Sequence, residues 1–179
     1  MARNVDILVG SERLELPLIP ARLLDALVGD DRGAVERLAP YVVPGVFPDD
    51  EQRDFLRFRR DQLRDDPARY PWSVRAIVLR AERRMVGFVN FHGGPGVNDT
   101  GTPGAVELGW TVFPGDQRRG YATETALALI EWARREHRVR RFISSTTAGN
   151  AASLRVHEKL GFVRTGEVVE GELIFELAT

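Results

Sequence analysis

One stretch constrains this chain more than any other: Gly109-Trp110-Thr111-Val112-Phe113-Pro114-Gly115-Asp116-Gln117-Arg118-Arg119-Gly120-Tyr121-Ala122-Thr123. Its first half completes a strand, Ala105 to Phe113, which Pro114 stops. Its second half opens the clearest helix, Ala122 to Arg135, with Ala126, Leu129, Ile130 and Ala133 on one face. A strand feeding a helix through so short a turn points to layered sheet and helices. The turn also has a chemistry. Successive backbone N–H groups face outward, and the helix N-terminus adds partial positive charge. Together they form a nest for a phosphate or pyrophosphate. Gly120 lets backbone approach a ligand closely, and Ala122 keeps the helix start uncrowded. Arg118 and Arg119 add charge-assisted contacts. The bland alternative is an ordinary strand-to-helix turn with solvated arginines. The stretch lacks both the Gly-Lys-Ser/Thr ending of a P-loop and the three glycines of a dinucleotide fold.

The rest of the chain fills in the layers. Arg13 to Leu18 alternates as a first strand, with Pro17 suggesting an edge. Helices are expected at Ala21 to Val28, Gly33 to Leu38 and Glu51 to Leu63, the last capped by Asp49 or Asp50 with Phe55, Leu56 and Phe58 on its apolar face. Trp72 to Arg80 and Met85 to Phe91 form a hairpin around Glu82-Arg83-Arg84. The Gly- and Pro-rich segment 93–104 predicts a mobile loop, long enough to fold over a substrate. Phe142 to Thr146 is a strand. Ala151 to Leu160 is a helix with Asn150 as N-cap and Gly161 past its end. Phe162-Val163 and Leu173 to Leu177 close the chain as strands. The order predicts an α+β domain with a mixed sheet and a parallel centre.

Composition removes several classes of function. The 179 residues suit one domain. The absence of cysteine excludes disulfides, thiolate metal sites and a cysteine nucleophile. Twenty-five basic against 26 acidic residues, a net charge of -1, disfavour a nucleic-acid partner. No apolar run reaches the roughly 18 residues of a membrane span. Met1 to Asp6 lacks the apolar segment of a signal peptide, so a cytoplasmic location is expected. His92, His137 and His157 show no metal-ligand spacing, so no metal is expected. Lys159 is the only lysine; near a helix C-terminus it is read as complementing the dipole, as Glu124 does at a helix start. Arg134, Arg135, Arg138, Arg140 and Arg141 read as a solvated helix end.

A second motif follows some twenty residues later: Asn150-Ala151-Ala152-Ser153-Leu154-Arg155-Val156-His157-Glu158-Lys159-Leu160-Gly161-Phe162. The pair Gln-x-x-Gly-x-Ala and Asn-x-x-Ser-x-x-x-His-Glu-Lys-Leu-Gly-Phe resembles the acetyl-CoA-binding motifs of the GNAT superfamily of N-acetyltransferases. Glu107-Leu108-Gly109-Trp110, followed by Arg119 to Glu124, is similar to the RimJ/RimL-type branch, which includes acetylases of ribosomal-protein N-termini. The close match spans about residues 105 to 163 of a single domain, 1–179. The resemblance implies a three-layer α/β/α fold. Its mixed, mostly antiparallel central sheet has parallel strands that splay at the cofactor site. It also implies that Arg118, Arg119, Gly120, Tyr121, Ala122 and Thr123 hold the CoA pyrophosphate. Trp110, Thr111 and Val112 bond the pantetheine through backbone, and Asn150 contacts the cofactor. No metal belongs to this chemistry.

In that chemistry an amine attacks the thioester directly, so no enzyme nucleophile is required. The amine must be neutral, and an α-amine has a pKa near ~8. Glu107 is the first candidate base, with a strand-edge carboxylate or a substrate ligand as alternatives. Many family members carry a tyrosine as acid where this chain has His157. His157 is therefore a candidate acid, or a packed structural histidine. Ser153 is its rival, or a support for the helix start. Glu107, His157 and the 93–104 loop are expected to border the active site. The acceptor is a protein N-terminus or, alternatively, a small amine such as an amino acid, polyamine or antibiotic. A CoA-binding protein without activity is the third reading, and a homodimer stays open.

Overall fold

The computed structural model describes residues 9–178. Met1 to Asp6, read above for a leader, lies outside them. Seven strands form one sheet in the order β1-β2-β3-β4-β5-β7-β6. They are β1 (Leu14–Glu15), β2 (Arg75–Leu79), β3 (Arg84–Phe91), β4 (Val106–Val112), β5 (Arg141–Thr146), β6 (Val163–Val169) and β7 (Glu172–Ala178). The helices are α1 (Ala21–Val28), α2 (Arg32–Leu38), α3 (Asp50–Asp65), α4 (Tyr121–His137) and α5 (Ala151–Leu160). Every pair is antiparallel except β4–β5. That parallel pair holds register only at Val106↔Phe142 and Glu107↔Ile143. Beyond Glu107 the two strands part, while β4 stays paired to β3 as far as Val112.

Strand alternation sorts side chains onto two faces. Val106, Leu108, Phe91 and Phe142 pack with Leu129, Ile130 and Trp132 of α4. On the other face Ala76, Val78, Met85 and Phe88 pack with Leu23, Leu24 and Leu27 of α1 and Leu56 of α3. The sheet is thus sandwiched between two helical layers, as the sequence led one to expect.

Some elements differ from expectation. β1 is only two residues long, because Pro17 has no N–H to extend the ladder; its carbonyl accepts from Ala76 instead. On α3, Phe58 is 57% exposed, and Arg59 takes the buried position beside Leu56 and Leu63. The guanidinium tolerates this by donating to the Gln62 side chain and the His92 carbonyl, both at 3.0 Å. Pro67–Trp72 is a 3-10 turn, so Trp72 precedes its strand instead of starting it. β6 runs to Val169, well past the expected Val163. Its residues are almost all exposed, so the strand carries no apolar alternation to read. It is set by a two-residue hairpin turn, Glu170-Gly171, with φ of 51° and 86°. The 93–104 loop is tied together by Asn98, whose side chain bonds the backbone of Thr102 and Ala105 and the Thr100 hydroxyl.

Candidate active site

Where β5 leaves β4, a groove of about 610 Å³ opens. One wall is the β4 segment Trp110–Val112, whose edge has lost its β5 partner. Another is the turn and helix start at Arg118, Gly120, Tyr121, Ala122 and Thr123. The third is α5, with Asn150 and Ser153. Arg119 belongs to the same turn, but its side chain does not line the groove.

The turn is built for exposed N–H groups. Arg118 and Gly120 both sit in the left-handed region, at φ 61° and 84°. Gly120 is the N-cap of α4 and offers no side chain, so the first N–H groups of α4 have no cap. By contrast, α2, α3 and α5 are closed by Asp31, Asp49 and Asn150. α1, which starts after Pro20, also lacks a side-chain cap, but α4 is the helix whose open start borders the groove, where an anion is its natural partner.

Two clamps hold this turn. Arg84 of β3 makes a bidentate pair with the buried Asp116, at 2.8 and 3.0 Å. The pairing with Arg84 outweighs burial and holds the Asp116 carboxyl below its ordinary range. Arg13, just before β1, reaches to Glu124 at 2.8 Å and to the Arg119 carbonyl at 3.1 Å, with its guanidinium 4.8 Å above the Tyr121 ring. Glu124 therefore does more than complement a dipole: it anchors Arg13 and Ser11. Sequence reading missed both clamps, since their partners lie far apart in the chain.

It also missed Arg155 and Lys159, which line the groove from α5. Here a signal existed. Ala152, Arg155, Val156 and Lys159 follow the i, i+3, i+4, i+7 spacing of a single helix face. The groove thus carries three cations, Arg118, Arg155 and Lys159, beside the open helix end. These residues fit a pyrophosphate- and phosphate-bearing ligand such as CoA. Asn150 lines the groove, but its side-chain oxygen is taken by the Ser153 N–H at 3.1 Å.

The three candidate catalytic residues separate. Ser153 faces the groove. His157 does not: it is 0% exposed, stacked on Phe175 at 4.3 Å and edge-on to Phe162. Its Nδ1 bonds the Ser153 carbonyl at 2.9 Å, which requires Nδ1 to be the donor. The neutral ring then has a bare Nε2, which is buried without a partner. Burial also pushes its pKa below the ordinary histidine value. The expected border of Glu107, His157 and the 93–104 loop is thus divided between two faces of the sheet. His157 lies with Trp110 on the α5 side, and Glu107 points to the opposite face.

Glu107 is 0% exposed. Its Oε2 accepts the Asp99 N–H at 2.8 Å, so the 93–104 loop does meet it. His92 Nδ1 lies 3.4 Å from both Glu107 Oε2 and Asp99 Oδ2. Burial opposes the charge on Glu107, yet His92, the Asp99 N–H and Ser145 together hold the carboxyl below its ordinary range. His92, Asp99 and Glu107 place one potential metal-ligating atom each within 4.8 Å of one another, a grouping their sequence spacing does not reveal. Glu107 Oε1 is buried with no hydrogen-bond partner.

A sheet that splays beside an uncapped helix, with cations on the facing helix, makes a groove suited to a phosphate-bearing ligand. The family pattern of the acetyltransferase (GNAT) domain matches residues 15–163. This chain belongs to that family and is an acetyltransferase. It is 29% identical over 157 residues to the uncharacterized N-acetyltransferase YjdG of Bacillus subtilis (strain 168), covering 88% of this chain and 90% of that one. Its fold is similar to the ribosomal-protein-S5-alanine acetyltransferase from Vibrio fischeri, with TM-score 0.65, 17% identity and 97% of each chain covered. It is also similar to RimL, a ribosomal L7/L12 alpha-N-protein acetyltransferase in complex with coenzyme A. There the TM-score is 0.61 and the identity 17%, over 96% of this chain and 97% of that one. Among the described residues no helix is long and apolar enough to cross a membrane.

Proposed function

We propose that this chain moves the acetyl group of acetyl-CoA to the α-amine of a protein N-terminus, in the manner of the RimJ/RimL-type branch. One observation carries the reading: two motifs some thirty residues apart, Arg118–Thr123 and Asn150–Ser153, become walls of one groove at the β4–β5 splay. The names of the two ribosomal-protein acetyltransferases of similar fold support the choice of acceptor.

Acetyl-CoA supplies the activated acetyl thioester. The turn at Arg118–Thr123 binds its pyrophosphate through backbone N–H groups, and Arg118, Arg155 and Lys159 add charge. The free edge of Trp110–Val112 pairs with the pantetheine as an added strand would. A β4 backbone N–H polarises the thioester carbonyl. On the opposite face Glu107 receives the incoming amine at Oε1, takes the proton that the nitrogen sheds as it bonds the acetyl carbon and the C–S bond breaks, and passes it to solvent. Ser153, the candidate acid that faces the groove, passes a proton to the departing sulfur and recovers one from solvent. His157 packs the helix that presents it.

The test is release of free thiol from acetyl-CoA with N-terminal peptides, amino acids, polyamines and aminoglycosides as acceptors. Peptides are expected to show the highest kcat/KM. A small amine that outperforms them would reassign the acceptor. Tight CoA binding without thiol release on any amine would make the chain a binding protein.

A further inference from the structure

The face of β4 that carries Glu107 has a second unsatisfied group. Asn90 of β3 is 5% exposed, and its Nδ2 is buried with no hydrogen-bond partner. Asn90 is the cross-strand partner of Gly109. The two therefore share a face, and Glu107, two residues earlier, shares it too. Gly109 is only partly buried. A Cβ built on it would meet a single atom within 4 Å, Asn90 Oδ1 at 3.7 Å. The glycine thus leaves room beside the Asn90 amide, and the Glu107 carboxylate on the same face has an unused polar atom as well. This space lies where β5 begins to leave β4.

A buried amide without a partner is costly, and Leu or Val would fill a strand position there at no such cost. The pair makes sense if something arrives to satisfy both groups. Diagonal neighbours across a strand pair lie about 7–8 Å apart. A compact unit that hydrogen-bonds at both ends, at about 2.9 Å each, spans that diagonal. An amide also offers a donor and an acceptor together, which is the complement of a peptide group.

We propose that Asn90 reads the first peptide unit of the acceptor while Glu107 holds its amine, so the site selects an α-amine with a carbonyl two bonds away. This deepens the N-terminal reading and rests on it. A plain alkyl amine or polyamine satisfies Glu107 and leaves Asn90 bare. Asn90 is thereby a specificity residue.

The experiment compares two acceptors with acetyl-CoA: an alanyl peptide, and the same peptide with its first carbonyl replaced by methylene. With kcat/KM expressed per neutral amine, the wild type should favour the peptide by about 10- to 100-fold, the cost of leaving a buried polar group unpaired. In Asn90→Leu the peptide's kcat/KM falls and the ratio drops toward one, with a melting temperature equal to or above wild type. Asn90→Ser provides the same ratio should leucine pack badly, and acetyl-CoA affinity by calorimetry reports that either variant is folded. A ratio unchanged in both variants, with the peptide still acetylated, overturns the role of Asn90 alone. A wild type that turns over neither peptide but acetylates a small amine overturns the N-terminal reading and this proposal together.

Discussion

The two faces of β4 are built by different means. The groove side is mostly backbone: an unpaired strand edge, an uncapped helix start, and cations from one face of α5. The other side is made of side chains from five separate elements. Asn90 comes from β3, Asp99 from the following loop, Glu107 from β4, Ser145 from β5 and Glu172 from β7, the last two joined at 2.6 Å. Backbone recognition suits a ligand whose phosphates and amides never change. Side chains drawn from many elements can be altered one at a time. The comparison teaches that the groove depends on local backbone geometry, whereas the Glu107 side depends on which side chains the assembled sheet brings together.

Five substitutions would break or sharpen that contrast. The largest effect belongs to the backbone side. Gly120→Trp places a bulky residue at φ 84° beside the helix start and should abolish CoA binding by calorimetry. Unchanged affinity in a folded variant would remove the turn from the donor site.

Next is the acceptor side. Glu107→Gln should keep CoA affinity and lower turnover by about 10²–10⁴-fold. The deficit should narrow as pH rises toward the amine's own pKa near ~8, where more of it is already neutral. A deficit independent of pH would leave Glu107 as an amine ligand only.

The α5 side separates its two polar residues. Ser153→Ala should lower turnover by about 10-fold or more, with partial recovery on a thioester whose thiol leaves more easily. His157→Phe should preserve that leaving-group dependence, because the ring has no open path to the groove. If instead His157→Phe were rescued by the better leaving group and Ser153→Ala were not, the acid role would return to the histidine.

The smallest effect concerns the clamp beneath the turn. Asp116→Asn should cost about 1–2 kcal/mol in denaturant unfolding at neutral pH, because it removes a charge-assisted bidentate pair. Asp116 has a folded pKa below its unfolded value, so its contribution is present above the unfolded carboxylate pKa. It is lost as pH falls through the folded one. The acid side of the stability profile should therefore be flatter in the variant. A parallel shift at all pH values would point to packing instead.

Amino-acid order by itself determined the turn that walls the groove and the helical layers. A phosphate nest needs consecutive N–H groups, so its glycine, arginines and helix start must be neighbours in sequence. The Asn150 cap and the Gly161 stop likewise act within a turn of their own helix. Apolar periodicity marked α1 and α4 because each buries one continuous stripe. Tertiary structure decided the rest. Arg59 went inward and Phe58 outward because the distant His92 carbonyl awaited a donor. β6 formed without an apolar pattern because its hairpin partner β7 inserted beside β5. His157 was closed off by Phe162 and Phe175, which no spacing on α5 discloses. His92, Asp99 and Glu107 meet, and Asn90 shares their face, only because β3 and β4 pair in one register and a loop folds back upon them. Side-chain contacts between separate strands depend on register and packing, and those are properties of the assembled sheet rather than of any local run of residues.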